Sequence, residues 1–152
     1  MQRPSAKYPP AKLYKADYEK LANFRYQLRH FLRFSEEVTR KKGITVLQYQ
    51  LMLQIRGFPG REWATVGELS ERLQAKQHGV VSLVSRCEAV GLVQRAVSES
   101  DRRRVEVRLT ESGSRCLEEL ASLHRMELLA LQGKGGISEL SVLHFAKMMG
   151  NQ

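Results

Sequence analysis

Between about Lys12 and Lys42, apolar residues recur at Tyr14, Leu21, Phe24, Leu28, Phe31 and Val38. The spacing is about one per 3.5 positions, which predicts a long helix laid against another helix. Gly43 is its predicted stop. Thr45 then stands as an N-cap before VLQYQLMLQI, where Val46, Tyr49, Leu53 and the residues between them predict a largely buried helix. Gly57, Pro59 and Gly60 close it. Thr65 and Glu68 have the spacing of a capping box, ahead of a short helix with Leu69 and Leu73 on its inner face. After a break at Gln74 to Gln77, Val80, Leu83, Val84, Cys87 and Val90 fall on one side of a second short helix. The other side carries His78, Ser82, Ser85 and, on one flank, Arg86. Two short helices joined by a tight turn, the second with a small polar outer face, predict a helix-turn-helix.

Gly91 ends that helix, and Leu92 to Val97 is compatible with an extended strand. A strict alternation follows, with Val105, Val107 and Leu109 on one face and Glu106 and Arg108 on the other. The two strands are expected to pair as a hairpin across the Ser98 to Arg103 loop, which puts the arginine cluster at the hairpin tip. Thr110 and Glu111 open another helix, with Cys116, Leu117, Leu120, Leu123, Leu128 and Leu131 among its apolar positions. The sequence GKGG, Gly133 to Gly136, interrupts it. A last helix is expected from about Ser138 to Met149, with Leu140, Leu143, Phe145 and Met148 apolar.

Charge sharpens this picture. The 152 residues carry a formal charge of +9 and a pI near 9.9. Residues 1 to 110 hold 21 basic and 11 acidic side chains, and residues 111 to 152 hold 4 and 5. The excess is therefore confined to the first two thirds, the part that contains the helix-turn-helix and the hairpin. Arg102, Arg103 and Arg104 repel one another, so crowding them costs stability unless they meet something negative. Nucleic acid, an acidic membrane surface, an acidic partner and plain solvent are the candidates.

Several function classes lose support from composition and spacing. No apolar run is long enough to span a bilayer, and MQRPSAKYPPAK lacks the apolar core of a signal peptide, so a cytoplasmic protein without a membrane partner is expected. Cys87 and Cys116 form neither a disulfide framework nor a CxxC clip. His30, His78, His124 and His144 make no HxxxH or HExxH, which gives no metal site. No GxSxG nucleophile context occurs, and GKGG lacks the spacing of a phosphate loop. Neither catalytic residues nor a cofactor are expected.

LSERLQAKQHGVVSLVSRCEAVGLVQR, Leu69 to Arg95, followed by SDRR and VRLTESG, resembles the winged helix-turn-helix core of the multiple antibiotic resistance regulator (MarR) family. The likeness rests on Gly91, Leu92, Val93 and Arg95 in a GLVxR pattern, Asp101 and Arg103 in a DxR pattern, and Leu109, Thr110 and Gly113 in an LTxxG pattern. It implies one domain over residues 1–152, mainly α with a small β-hairpin wing. Within it, about 44–110 is the DNA-binding core, and 12–42 with 111–150 are dimerisation helices. Gly79, Val81 and Cys87 depart from the family's pattern, in which Thr or Ser often stands at the first two positions and Leu at the third.

The expectation is a sequence-specific, nucleoid-associated regulator, a homodimeric repressor on a pseudo-palindromic double-stranded operator. Gln77, His78, Ser82, Ser85, Arg86, Asp101, Arg102, Arg103 and Arg104 are the expected DNA-binding residues. The resemblance further implies a cavity for a small aromatic or anionic effector, for which His30, Arg33, Tyr49, Met52 and Arg56 are the candidates. A winged-helix protein-interaction module, or a thiol- or metal-based sensor on the same scaffold, are the alternatives.

Overall fold

The computed structural model describes residues 12–133. Helix α1 spans Lys15–Lys42, and Arg40, Lys41 and Lys42 in its last turn complement the negative end of its dipole. Gly43 ends it in the left-handed conformation, donating back to the carbonyls of Arg40 and Thr39. Only Ser35 and Thr39 of α1 are buried, so most of its apolar stripe lies bare or half-covered on the single chain. Thr45 caps α2, Val46–Arg56: its hydroxyl accepts from the Gln48 N–H at 3.1 Å, and the Gln48 side chain returns the bond at 2.9 Å. Thr65 and Glu68 make the same reciprocal pair at the head of α3, Val66–Leu73.

Between α2 and α3 lies β1, Trp63–Ala64, an element the pattern of alternation did not foretell. Two residues are too short to show a period. It exists because β3 offers a free edge, and Trp63 and Ala64 pair antiparallel with Arg108 and Val107. After α4, Gln77–Ala89, strands β2, Val93–Val97, and β3, Val105–Leu109, form the expected hairpin. The sheet order is β1-β3-β2. Helix α5, Glu111–Gly133, runs back along α1 and α2. The helix expected at Ser138 to Met149, and the break at Gly133 to Gly136 beyond its first residue, lie outside the described residues.

A single core joins Leu51, Met52 and Ile55 of α2, Leu69 of α3, Val80, Leu83, Val84 and Cys87 of α4, Val93 and Val107 of the sheet, and Leu117 and Leu120 of α5. Three apolar residues expected on inner or apolar faces are exposed at its margins, Leu53 at 37%, Val105 at 41% and Val90. Val90, expected on the inner face of α4, is 62% exposed because the helix ends one residue earlier and Val90 is its C-cap. Glu106, on the polar face of β3, is only 6% exposed, because Arg104 and Arg108 close over it on the outer face of the wing.

Candidate nucleic-acid interface

Burial of Val80, Leu83, Val84 and Cys87 fixes which way α4 faces. Gln77, His78, Val81, Ser82, Ser85 and Arg86 are exposed on the remaining surface of the helix. One of them is already engaged. The Arg95 guanidinium on β2 donates to the Ser85 hydroxyl at 2.8 Å and to the Val81 carbonyl at 3.2 Å. It also donates to Glu88 at 2.9 Å, while the Arg95 backbone N–H reaches the other Glu88 oxygen at 2.8 Å. That backbone bond, and then the guanidinium, hold the Glu88 carboxyl below its ordinary range. The clamp ties the exposed face of α4 to the wing. Sequence reasoning noticed Arg95 only as a motif letter and missed Glu88, because the contact joins two elements across a turn.

The wing tip treats its three arginines differently. Asp101 accepts the Arg103 N–H at 3.0 Å, and its carbonyl accepts the Arg104 N–H at 2.9 Å, which closes the turn. The Arg103 side chain is 96% exposed, with its Nε 3.8 Å from Asp101, and Arg102 is exposed as well. Arg104 turns inward. Its guanidinium bonds the hydroxyls of Ser98 at 2.9 Å and Ser100 at 3.0 Å and lies 4.7 Å from the Trp63 ring centre. Of the three, Arg102 and Arg103 are free to meet an anion and Arg104 is occupied within the wing.

The five candidate effector residues do not share one site. Tyr49 and Met52 are core residues, Arg56 pairs with Glu62 at 3.0 Å, Arg33 lies on exposed α1 surface near Glu37, and His30 is exposed beside Tyr26. The junction of α1, α2 and α5 is instead filled by a side chain. His124 stacks on Tyr49 at 4.2 Å, donates from Nδ1 to the Leu120 carbonyl at 2.6 Å, and meets the Ser35 hydroxyl at 2.8 Å through Nε2. Phe31 and Phe34 meet it edge-on. Nothing in the spacing of the histidines marks His124 out.

The chemistry of a sensor finds little here. Among the described residues, no group of three or more His, Cys, Asp or Glu side chains is arranged to hold a metal ion. Burial pushes the Cys87 thiol up to about 11, so thiolate is scarce there at neutral pH. Burial also raises the Cys116 thiol, against the nearby Lys42 charge. No described helix is long and apolar enough to cross a membrane.

The MarR family model matches residues 42–104, from the end of α1 to the wing tip. Residues 42–104 are thus similar to a MarR-family winged helix. Solved MarR-family structures share the fold over most of the chain. A MarR family protein from Bacillus stearothermophilus is 27% identical, with a TM-score of 0.67 over 88% of this chain and 89% of that one. AbsC, a MarR family transcriptional regulator from Streptomyces coelicolor, is 20% identical, with a TM-score of 0.64 over 78% and 80%. A MepR mutant of S. aureus bound to an oligodeoxyribonucleotide is 22% identical, with a TM-score of 0.59 over 90% and 91%. No curated protein matches the chain. The likeness to these structures carries the winged-helix fold, and the family match covers residues 42–104.

Proposed function

We propose that the chain is a homodimeric repressor that grips a pseudo-palindromic operator and lets go when a small aromatic or anionic effector binds. The observation that carries the DNA-contacting part is the exposed face of α4 beside a wing whose Arg103 is 96% exposed. In this reading His78, Ser82 and Arg86 enter or flank the major groove, with Gln77 at the helix start, and Arg103 reaches the adjoining minor groove. Ser85 helps through the Arg95 clamp more than by reading a base. Asp101 braces the tip, and Arg102 meets phosphate.

The dimer reading rests on apolar surface left bare by residues 12–42 and 111–133: Tyr18, Leu21, Tyr26 and Leu32 on α1, and Leu123, Met126 and Leu129 on α5. A two-fold pair would place two recognition helices about one DNA turn apart, which makes the operator a rough palindrome. The core for DNA binding is then about 44–110, with 12–42 and 111–150 for pairing, and the dimer resides on the nucleoid. Exposed His30, Arg33 and Arg56 suit an effector carboxylate, whereas Tyr49 and Met52 line it only if the core opens.

Selection of bound duplexes from a random library tests the whole reading. A recovered palindrome released by aromatic carboxylates supports it. Binding without sequence preference refutes the operator, and no effect of aromatic carboxylates or other small anions on the complex refutes the effector.

A further inference from the structure

On the outer face of the wing, Arg104 and Arg108 lie near the one tryptophan of the chain. Arg104, Glu106 and Arg108 share that face, and Trp63 on β1 stands directly opposite Arg108 in the antiparallel register. The Trp63 ring lies 3.7 Å from the guanidinium of Arg61, 4.7 Å from that of Arg104 and 5.9 Å from that of Arg108. Glu106 is held between Arg104, just before β3, and Arg108. Arg61 pairs in turn with Glu68 of α3. A cation over an indole face gains electrostatic attraction that grows as water is excluded.

Arg104 is the link from this stack to the tip. Its guanidinium holds both Ser98 and Ser100, on the opposite limb of the loop from Arg104 itself, and its backbone carbonyl accepts the Ser98 N–H at 2.9 Å. Its Nε is buried without a hydrogen-bond partner among the described residues, so the indole face offsets part of that loss. Arg103, the next residue back, projects from the loop so closed.

We propose that Trp63 is a positioning residue for DNA binding: through Arg104 it clasps the wing loop shut, and so aims Arg103, without touching nucleic acid itself. The inference rests on the reading of Arg103 as a DNA contact. Arg104, on this view, serves geometry where its neighbours serve charge. The strand β1, paired to the edge of β3, carries the clasp.

The test compares wild type, Trp63→Leu, Trp63→Phe, Arg103→Ala, Arg104→Lys and the double variant Trp63→Leu with Arg103→Ala, on a duplex recovered by selection from a random library. Trp63→Leu removes no charge, yet it is expected to match Arg103→Ala in lost affinity and to flatten the salt dependence by about one unit of log–log slope. The double variant should be no worse than either single one, because the two changes disable one contact. Trp63→Phe keeps an aromatic platform and should recover most of both. Arg104→Lys keeps the charge but loses the fork, and should behave as Trp63→Leu does. A direct phosphate contact by Arg104 predicts the opposite, near wild-type slope in the lysine variant.

Amide exchange on the free protein separates the failure of this proposal from failure of the DNA reading. Trp63→Leu and Arg104→Lys should speed exchange at the Ser98 and Arg104 N–H groups by about tenfold or more, with core Val107 unchanged. If Arg103→Ala leaves DNA binding intact, the wing contact is wrong and the exchange data alone decide the clasp. Wild-type exchange at Ser98 and Arg104 in both variants overturns the clasp, and so do losses in the double variant that simply add. Should Trp63→Leu not fold, Arg104→Lys decides by the same readouts.

Discussion

Gly113 sits against the backbone of Leu92, where an added Cβ would lie 1.9 Å from the Leu92 oxygen. The approach is close because the Thr110 N–H donates to that same carbonyl at 3.1 Å, and the Thr110 hydroxyl bonds the Gly91 carbonyl, pinning the start of α5 to the start of the wing. Gly113→Ala should therefore cost roughly 1–3 kcal/mol, read as a lowered denaturant midpoint with unchanged m. An alanine variant as stable as wild type would mean that the helix start can shift freely. Arg103 has the opposite character, a side chain with almost no protein contact. Arg103→Ala is expected to leave stability and dimerisation alone, weaken operator binding, and flatten its salt dependence by about one unit of log–log slope. Unchanged affinity and slope would return it to a solvated loop. For Ser82 and Arg86, substitution should change base preference by about 1–3 kcal/mol at one operator position, and a uniform loss over all sequences would make them phosphate contacts.

At the scale of elements, α4 and β2 share the apolar core and are further clamped by a carboxylate. Glu88 accepts the Arg95 backbone N–H and guanidinium, and both lower its pKa from an ordinary 4.5. A group depressed in the folded state contributes fully above its unfolded pKa, and the contribution is lost as pH falls through the lower folded value. The Glu88–Arg95 clamp should thus hold through neutral pH and loosen only as Glu88 is protonated below its ordinary 4.5. Arg95→Gln keeps the backbone bond but removes the charge, so the onset of acid unfolding, followed by circular dichroism, should move to higher pH. An unmoved onset would show the clamp to be dispensable. Helix α3 depends on a different local device: with the capping box of Thr65 and Glu68 in place, Thr65→Ala should cost about 1 kcal/mol.

For the whole molecule, the terminal helices pose the main energetic problem. Tyr18, Tyr26, Leu32, Met126 and Leu129 are all exposed on one chain, and each apolar side chain covered by a partner would contribute about 1.5–3 kcal/mol if buried fully. Sedimentation at micromolar concentration is expected to show a dimer. A monomer there would refute the proposed two-fold arrangement and the palindrome with it. Buried His124 fastens α1 to α5 and α2 within one chain, and α2, α4 and α5 share a single packed core. A shift of α1 against α5 would reach α4 through that junction.

The sequence by itself determined the features that depend on neighbours a few residues away. The caps at Thr45 and Thr65, the left-handed stop at Gly43, the inner face of α4 and the β2–β3 hairpin all follow from local hydrogen bonding or a period of hydrophobicity. The tertiary structure decided the rest. Ser35 and His124 meet across 89 positions, and β1 is a strand only because β3 leaves an edge for it. Arg103 and Arg104 are equivalent letters in a basic run, yet one is free and the other fastened, since only the second has Ser98, Ser100 and Trp63 within reach. A side chain's role in this protein follows from its partners, and partners distant in sequence come together only when the chain packs.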